Sequence, residues 1–580
     1  MSQAEPLFSG FPAVEPAAWK SRVLEELKGA DYAKIVWKSP EGIAMEPWYN
    51  RSNAVPFPAV PTARRSNSWS VCQQVVVANA AQGAEAALSA IAGGADAIEF
   101  RLSDPSLVSA SRLATLLGGI DLSKVEIFFS GAIGDASALL GNLSTIPGFE
   151  SACGAILNDS SCASLITVAR RPAGFRVLSV NTERFHDAGA TITQELAFAL
   201  AEVSDLLNRA TGSGIDAAAA AASTEVLFCT GTSHFPELAK LRAFRAMWLQ
   251  VLGAYGVDPA SAPEPKLFVR SSRRSASVLD PYTNILRLST EAVSAILGGC
   301  DTLQLASFDA SGAVLPELAE RITRNIHHLL REESGLGRVV DPAAGSYYLD
   351  TMAEALCRDS WKLFQEIEAA GGLKQAEADG RIEAMVAAPA AARQQAIHGR
   401  RRSLVGINRY TVPPSPEVIS AIMADPGAAE KAAPDFERLR LRMLGHAAKG
   451  AKTPTVAFWL HGEPAKSLRV SAFAEEFLRT GGFEVQAPMA LPLESKSCRA
   501  ITEEEPDIVV LCWTGEEDLA SLPSILGTMQ ELHKETLVIM ASKPPENADD
   551  YLKAGLDRFI HLGSDAYACL LSLQHKTGVL

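Results

Sequence analysis

The run Glu225-Val226-Leu227-Phe228-Cys229-Thr230 sets the frame for reading the whole chain. Its apolar centre is continuous, too short for a core helix and without the polar alternation of a strand that has one wet face. Such a run reads as a parallel strand covered on both sides. A helix-like stretch follows at 236–254, and then a second run, Lys266-Leu267-Phe268-Val269-Arg270. The same unit repeats in both directions. Strand candidates stand at 69–77, 97–100, 125–130, 154–157, 175–180, 225–230, 266–270 and 302–306. Helix-like segments stand at 80–93, 107–118, 135–142, 161–169, 188–210, 236–254, 284–298 and 316–334. Eight strands alternating with eight helices over about 270 residues is the arithmetic of a (β/α)8, or TIM, barrel. A doubly wound open sheet competes, and the count favours the barrel.

Beyond the barrel, residues 336–400 read as helices, with 361–370 strongly helical and 380–400 rich in alanine. Residues 408–416 form a proline-containing connector, and the charged stretch 417–450, with a helical run at 437–444, reads as part of a linker over 401–452. A second alternation starts at 453, with strands at 455–460, 484–487, 507–513, 536–542 and 558–561 and helices such as 466–479 and 518–533. Five strands in this length predict a flavodoxin-like doubly wound domain over 453–580. At the other end, residues 1–64 read as an arm punctuated by Pro6, Pro12, Pro16, Pro40, Pro47, Pro56, Pro58 and Pro61. One helix is expected near 16–29, with Trp19, Val23, Leu24 and Leu27 at helical spacing. Trp37, Trp48 and Tyr49 on such an arm need a surface to bury against, either the chain's own body or another subunit.

A chain of 580 residues exceeds one ordinary domain, and its 47% hydrophobic content excludes wholesale disorder. The balance of 67 acidic against 53 basic residues, net −14, argues against a nucleic-acid partner, whose footprint would be basic. The nine cysteines, at 72, 153, 162, 229, 300, 357, 498, 512 and 569, form no CxxC pair and read as reduced thiols of a cytoplasmic protein. The N-terminal stretch lacks the basic and apolar regions of a signal peptide, and no run of about 18 apolar residues predicts a membrane span.

The familiar catalytic strings are missing: no GxxxxGK[ST] loop, no HExxH, no GxSxG. Gly-Gly pairs at 93–94, 118–119, 298–299 and 371–372 do not form GxGxxG and read as helix ends or tight turns. His327 and His328 are adjacent on a helix and face different directions. His186 follows the fifth strand and His234 the sixth, where barrel active sites sit, although each also reads as a plain rim histidine. Arg270-Ser271-Ser272-Arg273-Arg274 follows the seventh strand and suits either an anion or a solvated loop.

Several strings then read together. Leu279-Asp280-Pro281-Tyr282-Thr283-Asn284-Ile285-Leu286-Arg287 leads to Ser307-Phe308-Asp309 and to Arg321-Ile322-Thr323-Arg324-Asn325. Val340-Asp341-Pro342-Ala343-Ala344-Gly345-Ser346-Tyr347-Tyr348 and Glu366-Ile367-Glu368-Ala369-Ala370-Gly371-Gly372 follow, and Ala239-Lys240-Leu241-Arg242-Ala243 with Trp248 precedes them. This order and spacing resemble the methylmalonyl-CoA mutase family, specifically from about 225 to 410, more weakly over 65–225, and at fold level only beyond 453. The resemblance implies a CoA-ester barrel followed by a cobalamin-binding domain, with adenosylcobalamin supplying a radical route for interconverting methylmalonyl-CoA and succinyl-CoA.

The departures from the family pattern carry equal weight. The family's cobalamin domain has Asp-x-His-x-x-Gly after its first strand, the His ligating cobalt and the Asp orienting it. Counting back from Gly482-Phe483-Glu484-Val485 puts Ala465, Ser467 and Val470 on those positions, and His461 stands in no matching register. Thr514-Gly515-Glu516-Glu517 places acid where a small-residue loop is expected. In the barrel, Ala188-Gly189-Ala190 is kept, but Arg184 holds the family's catalytic His position with His186 two residues away. Leu157 replaces a Gln before Asn158-Asp159, and Thr167 replaces an Arg. Losing a donor, an acid and an anion clamp together removes most transition-state stabilisation. The pattern resembles the small, non-catalytic subunits of the family's heterodimeric bacterial members. It implies no catalytic, cofactor-binding or metal residues in this chain, adenosylcobalamin in a large catalytic partner subunit, and an arm over 1–64 lying on that partner. A self-sufficient acyl-CoA isomerase recruiting His461 or His186, and an accessory binder of a cobalamin enzyme, are the alternatives.

Overall fold

Along each barrel strand, alternate residues point at the axis and at the helices. The computed structural model describes residues 14–58, 64–158, 171–515 and 520–580. The parallel strands are β1 Ser70–Val77, β2 Ala97–Leu102, β3 Glu126–Gly131, β4 Gly154–Ile156, β5 Phe175–Arg176 continuing as Leu178–Asn181, β6 Thr224–Thr230, β7 Lys266–Ser271 and β8 Thr302–Gln304. Each pairs with the next, and β8 returns to β1 with Gln304 opposite Cys72. The run expected over 175–180 is two short ladders. Phe175–Arg176 pairs with β4 and Leu178–Asn181 with β6, while the amides of Val177 and Leu178 both donate to the Ser223 carbonyl. The sheet is therefore a barrel and not an open doubly wound sheet.

The inward residues form layers. Cys72, Ala97, Phe128, Ala155, Leu157, Leu227, Cys229 and Phe268 make one buried cluster on the axis. Outward residues such as Val75, Phe100, Phe129 and Val269 join the larger core under the helices. The helices between strands fall where the apolar periodicity placed them, with shifted ends. The stretch 188–210 is a short helix Glu183–Ala188, a turn, and a long helix Ile192–Gly212 whose Thr191 and Gln194 form a capping box. The second glycine of all four Gly-Gly pairs has positive φ (Gly94, Gly119, Gly299, Gly372), as the helix-end reading requires. At Gly94 a Cβ would also lie 2.7 Å from the His328 ring, so that position excludes a side chain twice over.

Residues 401–452, expected as a linker, carry three helices, Pro416–Ala424, Pro426–Ala432 and Asp435–Ala448. They pack on the barrel through Val418, Ile422, Ala429, Ala433 and Leu441 against Val278 and Leu279. Buried Glu437 accepts the Val278 amide at 2.7 Å and the Ser277 hydroxyl, tying this segment to the loop after β7. Beyond it lies a six-stranded parallel sheet whose main path runs in the order 2-1-3-4-5, β9 Thr455–His461, β10 Glu484–Val485, β11 Ile508–Trp513, β12 Leu537–Met540 and β13 Arg558–Phe559, with the short Met489–Ala490 also paired to β9. This is the doubly wound order, with the switch point between β9 and β11.

Of the arm, Pro16–Glu26 is helical with no buried residue, and Trp19 stacks on Trp48 at 5.2 Å. Its later part lies on the chain's own barrel. Ile43 and Met45 are buried, Tyr49 meets Tyr348 edge-on, and the Val55 amide donates to Thr351. The expected helix 161–169, Asp159, Cys162, Thr167, Glu516, Glu517, Pro6, Pro12 and Pro61 lie outside the described residues.

Candidate functional site

The C-terminal ends of the barrel strands, where barrel enzymes do chemistry, hold a buried polar network. The capping box at Thr191 starts a helix that aims Glu195 inward. The helix His234–Ala254 presents Glu237 and Lys240 one turn apart. Lys240 Nζ donates to Glu195 Oε2 at 3.0 Å, pairs with Glu237 Oε2 at 2.6 Å and reaches the Cys229 carbonyl. His186 Nδ1 lies 2.6 Å from Glu195 Oε1, and its Nε2 lies 2.8 Å from Ser272 Oγ. Burial pushes the Glu195 carboxyl up, but the charge of Lys240 and the contact with His186 outweigh it and hold the group at about 2. Burial pulls Lys240 down, and its two carboxylates more than reverse that, so the ammonium stays charged. A cavity of about 460 Å³ opens beside this network, lined by His186, Glu195, Ser272, Arg274, Arg393 and Arg402 among others.

Just inside the mouth, Arg270 bridges Glu99 and Glu183, and Glu99 also accepts from Ser130 and Gln74. Below, Phe128 meets Phe268 edge-on at 4.9 Å and Leu157 packs beside them. Lower still, Arg176 pairs with Glu225, whose carboxyl burial pushes up to about 7. The axis is thus filled by an apolar layer between two ion-paired layers.

In the C-terminal sheet, the helix Pro464–Arg479 begins directly after Gly462 and Glu463, with Pro464 at its first turn. Ala465, Ser467 and Val470 are therefore helical residues. Ala465 and Val470 carry no donor, and the buried Ser467 hydroxyl donates to the Pro464 carbonyl at 3.2 Å. At the switch point the Glu463 amide donates to Thr514 Oγ1 at 3.0 Å, and a Cβ on Gly462 would lie 2.3 Å from that same oxygen. The loops after β9 and β11 close on each other there. Nδ1 of His461 lies 3.2 Å from the Leu491 carbonyl, and its ring meets Trp513 edge-on.

Comparison with known proteins gives the same family as the strings quoted above. The family model described as Methylmalonyl-CoA mutase matches residues 161–449. A protein of Porphyromonas gingivalis named methylmalonyl-CoA mutase small subunit is 30% identical over 100% of this chain and 99% of its own length. The chain belongs to the methylmalonyl-CoA mutase family. A small subunit from Streptomyces virginiae is 27% identical, covering 93% of this chain and 91% of its own. A protein of Rhizobium meliloti named methylmalonyl-CoA mutase is 35% identical over 42% of this chain and 34% of its own. Full-length likeness therefore goes to proteins named small subunit.

Among the family's expected positions, Arg184 lies outside the mouth network and bridges Glu202 and Glu377. His186 lies in the network. His234 starts its helix with Nδ1 2.8 Å from Ser294 Oγ, and burial lowers its pKa. His327 is buried under Trp69, whose indole N–H donates to Nδ1 at 3.2 Å, and His328 faces Gly94 instead. Of the basic cluster, Arg270 is consumed by its carboxylates, while Arg273 and Arg274 reach the cavity. The sequence reading missed Glu195, Glu237, Arg393 and Arg402. The available signal was a charged residue on an otherwise apolar helix face: Glu195 stands directly before the buried run Leu196–Ala201. Among the described residues, no group of three or more His, Cys, Asp and Glu is arranged to hold a metal, all eight cysteines are free thiols, and no helix is long and apolar enough to cross a membrane.

Proposed function

We propose that this chain is the non-catalytic small subunit of an adenosylcobalamin-dependent methylmalonyl-CoA mutase. It pairs with a large catalytic subunit that carries the cofactor and interconverts methylmalonyl-CoA and succinyl-CoA. The observation that carries the reading is the helix starting at Pro464, which turns the stretch after β9 into Ala465, Ser467 and Val470 on helical turns with no side chain fit to ligate cobalt. The residues of this domain do not fit the cofactor. The filled barrel axis and the full-length likeness to small subunits support the same reading. The role is stabilisation by mass action: a partner that binds the folded large subunit and not its unfolded chain shifts its folding equilibrium. The boundaries 1–64, 65–400, 401–452 and 453–580, a cytoplasmic location and contact between the arm and the large subunit belong to the proposal. The helix Pro16–Glu26, which has no fully buried residue and touches its own chain through the Trp19–Trp48 stack, is the part of the arm available for that contact.

The test is His461→Ala, assayed in the complex with the large subunit. Mutase activity should stay within about twofold of the parent. Deletion of a second-shell or ligand contact around a working metal typically costs about 10–100-fold, so a loss of that size would mean that His461 serves the cofactor.

A further inference from the structure

The mouth network contains an arrangement that the mutase reaction does not use. Glu195 is ionised and can only accept, so the 2.6 Å contact fixes a proton on His186 Nδ1. In the neutral ring Nε2 is then the lone-pair nitrogen, and the 2.8 Å contact is the Ser272 hydroxyl donating to it. The Arg274 amide donates to the same Oγ at 3.3 Å. A hydroxyl on the base, with the base oriented by a carboxylate, is the arrangement that activates a nucleophile. We propose that Ser272, His186 and Glu195 form a serine-type acyl-transfer centre for esters or thioesters that carry an anionic group.

Two cavities share a wall that includes Ser272, Asp187, Arg273 and Arg274. Ser272 lines both the 460 Å³ chamber and a second one of about 750 Å³, whose wall includes Ala276, Leu288, Ala306 and Ala310. The two give the acyl and leaving groups separate sides of one nucleophile. The guanidiniums of the first chamber set the substrate's charge, with Glu41, Asp187 and Asp435 on the same wall and Glu195 and Glu237 already paired to Lys240. Arg393 Nη2 lies 3.4 Å from the Ala190 carbonyl, and a Cβ on the adjoining Gly189 would lie 3.4 Å from Arg274 Nη2. Nε of Arg393 is buried without a hydrogen-bond partner. Burial, and then the charges of Arg393 and Arg402, push the Arg274 guanidinium down to about 10 against the opposing charges of Glu195 and Asp187. Guanidiniums that repel one another around a cavity are relieved by an anion between them.

The chemistry balances with water as the only co-reactant. Ser272 Oγ attacks the carbonyl carbon, and its proton passes to His186 Nε2. The bond to the leaving oxygen or sulfur breaks, and that group takes the proton from Nε2 as an alcohol or thiol. Water, deprotonated by the same nitrogen, cleaves the acyl–Oγ ester and returns Ser272 with a free carboxylic acid.

The experiment uses the full chain without its partner. A fluorophosphonate probe, read by intact mass and peptide mapping, should add once, at Ser272. Labelling should vanish in Ser272→Ala and slow by about a hundredfold in His186→Gln, the size of a general-base contribution. The p-nitrophenyl monoester of succinic acid should acylate the parent faster than p-nitrophenyl acetate, and Arg402→Gln should remove that preference. Ser272→Cys should restore acylation, which a merely structural hydroxyl would not require. No adduct on the parent chain, an adduct persisting in Ser272→Ala, or equal rates for the charged and neutral esters overturns the proposal.

Discussion

Lys240→Met removes the ammonium between two buried carboxylates and keeps nearly the same side-chain length. Lys240 and Glu195 are 1% and 2% exposed and Glu237 is 6% exposed, so water cannot take over. In the parent, Glu195 titrates at about 2 against an ordinary 4.5. At about 1.4 kcal/mol per pH unit, that drop corresponds to about 3 kcal/mol of stability. The folded value is depressed, so this stability is fully present above pH 4.5 and drains away as pH falls toward 2. Without Lys240 the sign reverses: Glu195 keeps His186 and Glu237 keeps the Gly231 amide, but both lose the ammonium, so burial raises the Glu195 carboxyl and it becomes neutral on acidification. Breaking one partner of a buried pair costs about 3–5 kcal/mol. Urea denaturation followed by circular dichroism should show a deficit of that size at pH 7, shrinking by more than half at pH 5. A deficit under about 1 kcal/mol at pH 7, or one equally large at both pH values, would refute the idea that this network is an ion-paired core element.

Three further outcomes follow from the same geometry. Burial, with His328 and Arg331 adding to it, pushes His327 down to about 3, so neutral His327 supports the fold above pH 6.5 and weakens it as pH falls toward 3. His327→Gln should flatten the acid side of a stability–pH curve by up to about 1.4 kcal/mol per pH unit, and an unchanged slope contradicts the assignment. Phe268→Ala opens the axial layer against Phe128 and should cost about 3–5 kcal/mol by urea denaturation, with little loss if the axis were a loosely filled channel. Deleting residues 1–31 removes the helix Pro16–Glu26 but keeps Ile43, Met45 and Tyr49 on the barrel. The truncated chain should melt like the parent yet bind the large subunit at least about tenfold more weakly by calorimetry, a loss of about 1.4 kcal/mol; equal affinity removes the arm from the interface.

The barrel was legible because its strands are continuous apolar runs at regular intervals, a pattern that buried parallel sheets impose on composition. The broken β5 was not legible, since Val177 is as apolar as its neighbours and the break lies in hydrogen-bond partners on Ser223. The helices over 416–448 read as solvated because their charges look like surface charges. Glu437 and Arg440 are in fact buried, and Glu437 is satisfied by backbone amides on the loop after β7. The mouth network has no local signature either. His186 and Ser272 are 86 positions apart, and Glu195 and Lys240 are 45 apart. Sequence reasoning found His186 from its place after β5, and only the folded chain supplied its partners. In the C-terminal domain, by contrast, the absence of a donor at 465 and 470 could be read directly, and Pro464 explains why no loop remains to supply one.

The central claim is that this chain pairs with a cobalamin enzyme without holding the cofactor. Visible absorbance of cobalamin after gel filtration tests it, first with this chain alone and then with its large subunit. The account predicts no cobalamin retained by the isolated chain and stoichiometric retention by the complex. Tight stoichiometric binding by the isolated chain would contradict it and return the search for a cobalt ligand to His461.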